Sequence, residues 1–314
     1  MCERGCTVLA GGVGAARFLS GLVQVVPPET VTAIVNTGDD LTWCGLYVSP
    51  DIDIITYTLA GIVDPDQGWG RAEDTFHCLS TLADLGHETW FNLGDRDLAV
   101  HLHRSLRLRQ GWTLDRITDE IRTALNVKTK ILPMTNHPVM TKINTGTEVL
   151  PFQEYYVKRN ARDRVQEITF EGIEDAPPAP GVIESIEAAK AVIIAPSNPF
   201  VSIGPILSVP GVRHALQHRN APVAAISPIV AGAAVKGPAA RMMGFLYGEV
   251  SATVVARIYQ DLLDVMIIDE RDGDRRKEIE ELGMGVLVTD TIMSSLKKKI
   301  GLSRAVLKAL ELST

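Results

Sequence analysis

Short apolar runs alternate with stretches of helical periodicity along most of this chain. Residues 6–10, Cys-Thr-Val-Leu-Ala, form a continuous apolar run of the kind a buried strand requires. A Gly-rich turn follows, and residues 15–26 carry apolar side chains at helical spacing up to Pro27-Pro28. Residues 31–36 read as a second strand, so the chain opens with a βαβ unit, which favours a parallel sheet. Residues 51–61 and 71–85 read as helices. Residues 89–93 read as a short strand that ends at Gly94-Asp95-Arg96-Asp97, and helices are predicted over 98–109 and 114–125.

The texture changes at about residue 128. Short β-like runs at 130–132, 139–144, 148–152, 155–158 and 165–170 are separated by turn residues and charges. The Pro-rich stretch 176–181 reads as a return linker. The α/β pattern then resumes, with strands at 191–195, 223–227, 265–269 and 285–289 and a closing helix over 292–312. The expected fold is α/β: a Rossmann-like, doubly wound, mostly parallel sheet formed by residues 1–127 and 181–314. A smaller mixed or β-rich domain is inserted at 128–180. Such sheets bind ligands at the C-terminal ends of their strands, and the polar motifs of this chain fall at those positions.

Four carboxylates crowd the loop after the second strand: Asp39 and Asp40 in Asn-Thr-Gly-Asp-Asp, then Asp51 and Asp53 in Ser-Pro-Asp-Ile-Asp. Acids this close repel one another and lose hydration if buried, and a divalent cation relieves both costs. Mg²⁺ suits hard oxygen ligands together with a substrate phosphate. Each Asp has a plainer use as a turn former or helix cap, and Asp51 after Pro50 is placed to cap the next helix. Upstream, Gly11-Gly12-Val13-Gly14-Ala15-Ala16-Arg17 offers free backbone N–H groups at a helix N-terminus, a natural anion site. It resembles a dinucleotide fingerprint, except that Arg17 stands where the last Gly belongs, which argues against ordinary NAD binding. A tight βα turn without a ligand has the same pattern.

Two more motifs belong to this group. Gly94-Asp95-Arg96-Asp97 offers either helix caps with a surface ion pair or an arginine clamp for phosphate. Pro196-Ser197-Asn198-Pro199, with Ser202-Ile203-Gly204-Pro205, forms a stiff polar loop after a strong strand, fit to hold a phosphate or read a base. His101 and His103 are two apart on a predicted helix. They share no face, so joint metal ligation is not expected and both read as ordinary.

Composition narrows the classes. The chain has 314 residues, 46% hydrophobic and 22% charged, enough for a sizeable core. Its net charge of −7 and lack of a basic run disfavour nucleic-acid binding. No apolar run reaches the roughly 20 residues that span a bilayer, and no secretory signal pattern opens the chain. Cys2, Cys6, Cys44 and Cys78 fit neither a zinc ribbon nor a Cys-x-x-Cys motif, so four free thiols in a reducing cytoplasm are expected.

Taken together these motifs resemble the 2-phospho-L-lactate transferase family. The resemblance is carried by residues 11–19, 36–40 and 49–53, by Gly-Trp-Gly at 68–70, by Leu-Gly-Asp-Arg-Asp at 93–97 and by Ala-Pro-Ser-Asn-Pro at 195–199. Ser-Ile-Gly-Pro-Ile at 202–206 and Ser-Pro-Ile at 227–229 complete it. The resemblance implies a homodimer that uses Mg²⁺. It implies transfer of a phospholactyl-type group (lactyl, enolpyruvyl or glyceryl phosphate) from a guanosine diphosphate donor to the deazaflavin FO. GMP is released, in synthesis of coenzyme F-420.

On matching positions, the resemblance implies that Asp39, with Asp51 or Asp53, holds the ion and that one of these acids orients or deprotonates the FO hydroxyl. Asp51 and Arg96 would contact FO or the transferred phosphate. Gly11, Gly12, Gly14 and Arg17, with Ser197, Asn198, Ser202 and Gly204, would hold the donor. Trp43, Trp69 and Trp90 are candidates for a flat aromatic slot, although core packing is the commoner fate of a Trp. The competing readings are a non-catalytic sugar-nucleotide-binding regulator of related fold and an NAD-dependent oxidoreductase.

Overall fold

The computed structural model describes residues 5–311 and places seven strands in one sheet. In chain order they are β1 (Cys6–Ala10), β2 (Val31–Val35), β3 (Lys130–Pro133), β4 (Ala191–Ile194), β5 (Val223–Ile226), β6 (Val265–Asp269) and β7 (Gly285–Thr289). Their spatial order is β3-β2-β1-β4-β5-β6-β7, and every neighbouring pair is parallel. This is the doubly wound α/β arrangement, extended by one strand, and its switch point lies between β1 and β4.

Both faces of the sheet are covered, which is why β1, β4, β5 and β6 are buried at every position and largely apolar rather than alternating. Leu9, Ile34, Val192 and Ile194 point into one core layer, and Val8, Ala10, Val35 and Ile193 into the other. The second layer is closed by α1 (Gly12–Leu22), α2 (Pro50–Leu59) and the last helix, Leu296–Glu311. Helix α1 faces it with Ala15, Phe18, Leu19 and Leu22, a stripe of helical period, and each large apolar side chain buried there contributes about 1.5–3 kcal/mol. Further helices are α3 (His77–Asp84), α4 (Asp95–Arg109) and α5 (Leu114–Ala124).

Several elements differ from the sequence expectation. No strand forms at 89–93. Trp90 and Phe91 instead join Trp43 in a ring cluster, with centroids 4.8 Å apart for Trp43–Trp90 and 5.8 Å for Trp90–Phe91. The helix expected over 71–85 shortens to α3, which buries none of its residues. Helix α1 starts at Gly12 rather than at 15, because the Gly-rich stretch is itself the first helical turn.

The run at 130–132 is β3, the edge strand beside β2, and so belongs to the main sheet rather than to the insertion. The insertion does hold a three-stranded antiparallel sheet: Met140–Asn144 in the centre, flanked by Val149–Pro151 and Glu167–Glu171. The run at 155–158 is one wide helical turn, Glu154–Lys158, not a strand. Ile143, Leu150, Phe152 and Tyr155 form a small core there, sealed by Val201 and Met242 from the main body. The closing helix starts at Leu296, and its expected end at Leu312 lies outside the described residues, as does Cys2. Cys6, Cys44 and Cys78 are free thiols. No helix among the described residues is long and apolar enough to cross a membrane.

Candidate active site

The loops that leave β1 and β4 interlock at the switch point. Ser197 Oγ donates to the Gly11 carbonyl at 2.8 Å and accepts the Gly11 N–H at 3.3 Å. A Cβ on Gly14 would lie 2.1 Å from the Pro196 carbonyl oxygen, so only glycine allows this contact. Gly14→Ala should therefore lower stability by about 1–3 kcal/mol, the usual cost of overpacking, read as a fall in the urea midpoint. Gly11 is equally confined: a Cβ there would meet Asp51 Oδ2 and Ser202 Cβ, each at 2.7 Å. The phosphate-type turn and the acidic loop thus touch one another.

They open on a cavity of about 680 Å³, lined by Gly11, Gly12, Gly14, Arg17, Asp39, Asp51, Asp53, Asp97 and His101, among others. Asp39 comes from the loop after β2, and Asp51 from the first turn of α2. Both are buried, at 5% and 7% exposure. Asp39 Oδ1 has no hydrogen-bond partner among the described residues. Burial first, then the neighbouring charges of Asp51 and Asp40, push the Asp39 carboxyl well above its usual range. Burial pushes Asp51 up to about 6, even though the Asn36 side chain and the Gly12 N–H hydrogen-bond to it. Two buried acids with raised pKa values and one orphaned oxygen form a pair that a cation would stabilise.

That raised pKa has an unusual sign. Between the unfolded value of 3.8 and the folded value of about 6, the native state holds the Asp51 proton more tightly than the unfolded chain. Metal-free Asp51→Asn should therefore match the wild type in stability near pH 4. The variant should become the more stable of the two as pH rises through about 6, a difference that paired urea titrations measure directly.

Asp53, expected beside them, is turned the other way. Both its oxygens are taken by the guanidinium of Arg104 on α4, with Nη1 to Oδ2 at 3.0 Å and a second contact from Nη2 to Oδ1. Arg104 is fully buried, and Asp53 is 5% exposed. His101, read from the sequence as ordinary, sits at the centre of this network. Its Nδ1 is 3.1 Å from Arg104 Nη1 and its Nε2 is 3.3 Å from Asp97 Oδ1. The Tyr57 hydroxyl donates to Asp97 at 2.6 Å. Burial alone would raise the Asp97 carboxyl, but the close His101 ring, the Tyr57 hydrogen bond and the charge of Arg104 bring it below its usual range. Ligand atoms of Asp53, Asp97 and His101 lie within 4.8 Å of one another, so this buried group could hold a metal ion. The sequence signal was the polar face Asp97, His101, Arg104, Ser105 at helical spacing. His103 pairs instead with Glu120 on the surface, at 3.1 Å.

The other side of the cavity is cationic. Arg17 projects from α1, and Lys236, which the sequence reading missed, from the loop after β5. Both head groups lie against Gly68, and Lys236 Nζ donates to the Gln67 carbonyl at 2.7 Å. Burial and the nearby Arg17 charge lower the Lys236 pKa. Two like charges held at one helix N-terminus favour an anion between them. Phe91 and Trp69 line the cavity from one side. The insertion contributes Phe152 and Tyr156, stacked at 5.5 Å with planes 6° apart, and Gln153, whose amide donates to the Asp39 carbonyl at 3.3 Å.

The remaining expected residues divide. Ser197, Asn198 and Ser202 line the cavity, and Asn198 also caps the turn Pro199–Ile203 by accepting the Phe200 N–H. Gly204 is not among the lining residues and packs beside the Phe170 ring. Arg96 is exposed and does not reach the cavity. Its flanking Asp95 does cap a helix, but another one: Asp95 accepts the His77 and Cys78 N–H groups of α3, while Asp74 accepts those of Arg96 and Asp97 on α4. Of the three candidate tryptophans, Trp69 lines the cavity, whereas Trp43 and Trp90 serve the ring cluster.

A parallel doubly wound sheet whose switch point sets a glycine-lined helix N-terminus beside a buried acid pair is an α/β arrangement suited to phosphate. Residues 6–298 match the family described as 2-phospho-L-lactate transferase CofD, and the chain belongs to that family of transferases. It is 40% identical to a phosphoenolpyruvate transferase of Streptomyces griseus, over 97% of this chain and 98% of the relative. It is 37% identical to a 2-phospho-L-lactate transferase of Methanosarcina mazei, over 96% and 99% respectively. Among solved structures it is similar to a member of the UPF0052 family from Bacillus halodurans, with a TM-score of 0.64 at 17% identity, covering 98% of this chain and 99% of that one. At that identity the likeness concerns the fold alone.

Proposed function

We propose that this chain transfers a phospholactyl-type group (lactyl, enolpyruvyl or glyceryl phosphate) from a guanosine diphosphate donor to the terminal hydroxyl of the deazaflavin FO. GMP is released, as a step of coenzyme F-420 synthesis. The observation that carries the reading is the cavity itself, where an acid pair and a cation pair flank one helix N-terminus, with stacked aromatic rings alongside.

The N–H groups of Val13 and Gly14, with Arg17 and Lys236, hold the donor's phosphates. Phe91, Phe152, Tyr156 and Trp69 offer the flat, apolar slot that FO needs. Asp39, with its unpartnered buried oxygen, fits a Mg²⁺ ion, which when bound would neutralise charge on the phosphate oxygens. The FO hydroxyl oxygen forms a bond to phosphorus as the bond from phosphorus to the GMP oxygen breaks. The hydroxyl proton passes to Asp51, whose raised pKa suits it to accept at neutral pH. In-line transfer of this kind depends mainly on positioning and charge compensation, which the fixed loops supply. Arg96 has no assigned contact with donor or acceptor, because its side chain lies outside the cavity. In this reading the protein works in the cytoplasm as a homodimer.

The test is a fluorescence titration of FO with the purified protein, with and without Mg²⁺ and GDP, followed by product mass. Saturable binding that Mg²⁺ or GDP strengthens supports the assignment, and the mass identifies the donor acid. Absence of FO binding under every condition removes it and favours the sugar-nucleotide reading.

A further inference from the structure

The acids of this cavity fall into two sets that differ in one respect: only one set has a cation built in. Asp39 and Asp51 line one part of the wall, with no buried Lys or Arg among the described residues hydrogen-bonded to either. Asp53, Asp97 and His101 line another, close enough together for a metal. There the Arg104 guanidinium already takes both Asp53 oxygens.

Arg104 also disposes of the histidine. A guanidinium only donates hydrogen bonds, so His101 Nδ1, 3.1 Å from Arg104 Nη1, must be offering its lone pair to that donor. The ring proton is then on Nε2, which faces Asp97 Oδ1 at 3.3 Å. Asp97 Oδ1 also accepts the Tyr57 hydroxyl at 2.6 Å. The imidazole has one lone pair, and it is spent. A metal at this group would have to displace Arg104 from both Asp53 and His101, leaving a buried, unpaired guanidinium, which is strongly unfavourable.

We propose that Arg104 is a built-in counter-ion that takes the place of a second metal among Asp53, Asp97 and His101 and so confines the divalent cation to the Asp39 side of the cavity. Arg104 is thus a positioning residue, acting on cation placement through Asp53 and His101. The inference rests on the reading of Asp39 as the ion's ligand, and the experiment separates the two.

The probe is Mn²⁺, added to the full-length protein and counted by electron paramagnetic resonance. Pulsed measurements report whether an imidazole nitrogen is coupled to the bound ion. The wild type should bind Mn²⁺ without nitrogen coupling. Arg104→Met should bind one additional ion per chain, with nitrogen coupling that His101→Ala abolishes, and Arg104→Lys should retain the wild-type count. Asp39→Asn should remove the wild-type ion but leave the additional ion of the Arg104→Met background.

Imidazole coupling in the wild type overturns the proposal, as does a folded Arg104→Met that gains no ion. If Arg104→Met does not fold, the wild-type pulsed spectrum still decides. A wild type that binds no Mn²⁺ refutes the role of Asp39, yet an ion gained in Arg104→Met would still support Arg104 as the counter-ion.

Discussion

Replacing Asp39 with Asn should lower kcat/KM for FO by about 10³-fold while making the metal-free protein more stable at neutral pH. The loss is of the size seen when one charged or polar group is removed from a site that stabilises transferring charge. The gain follows from the sign of the pKa shift. The Asp39 carboxyl is buried beside Asp51 and Asp40, and its pKa in the folded protein is raised. A raised carboxyl pKa means that ionisation costs more in the native state than in the unfolded chain. At pH values above the unfolded value of 3.8, Asp39 therefore subtracts from stability until a cation arrives. Asn has the same shape and no charge. Product formation at increasing Mg²⁺ and thermal melts in a chelator measure the two effects. Full activity at ordinary Mg²⁺ would take Asp39 out of the ion site, and a metal-free melt below that of the wild type would show that its charge is compensated some other way.

Such opposed effects mark residues kept for chemistry rather than for folding. The cavity repeats the pattern in the opposite sign at Lys236, whose pKa is lowered by burial and by the charge of Arg17. In the proposed reading, one half of a metal–phosphate substrate would relieve the acids and the other half the cations. The same arrangement predicts that donor and cation bind cooperatively, because each neutralises side-chain charge that repels the other.

Much of this site was legible in the sequence, and the failures have identifiable causes. The sheet strands after residue 190 declared themselves because strands buried on both faces must be continuously apolar. The Gly-rich turn and the Asp39–Asp53 loop stood out because glycine and crowded acids are costly unless something uses them. The segment at 89–93 misled because an apolar run states that residues are buried, not what they pack against. Here Trp90 and Phe91 pack on Trp43, and Phe91 lines the cavity. Spacing correctly separated His101 from His103, but it carried no information on Asp53, which reaches His101 from another helix at 3.6 Å. Arg104 was not singled out, because in sequence it is one more charge on a charged helix. Its complete burial follows from where α2 and α4 meet, a tertiary fact with no local signature. Lys236 was missed for the same reason, since it comes to Arg17 from the opposite half of the sheet.

The largest stability effect should come from breaking that buried network on one side only. Asp53→Leu should cost about 3–5 kcal/mol, because it leaves the Arg104 guanidinium buried without its main partner. An exposed pair such as Arg213–Asp261 should contribute only about 0–1 kcal/mol, since water screens it and its side chains lose freedom on pairing. The double variant Asp53→Leu/Arg104→Met should recover most of the loss, because a pair of apolar side chains of similar volume needs no compensation. Urea titrations of the wild type, both single variants and the double variant form a thermodynamic cycle that isolates the coupling between the two residues. A single-variant loss below about 1 kcal/mol, the range of surface pairs, would mean that other groups or water already compensate Arg104. The cycle also bears on the metal. Arg104→Met alone leaves Asp53, Asp97 and His101 free to take an ion, so Mg²⁺ should stabilise that variant more than the wild type. The double variant lacks Asp53 and should lose this extra stabilisation. The counter-ion role of Arg104 and its structural role are then read from the same four proteins, the one by its dependence on added cation and the other by its persistence in a chelator.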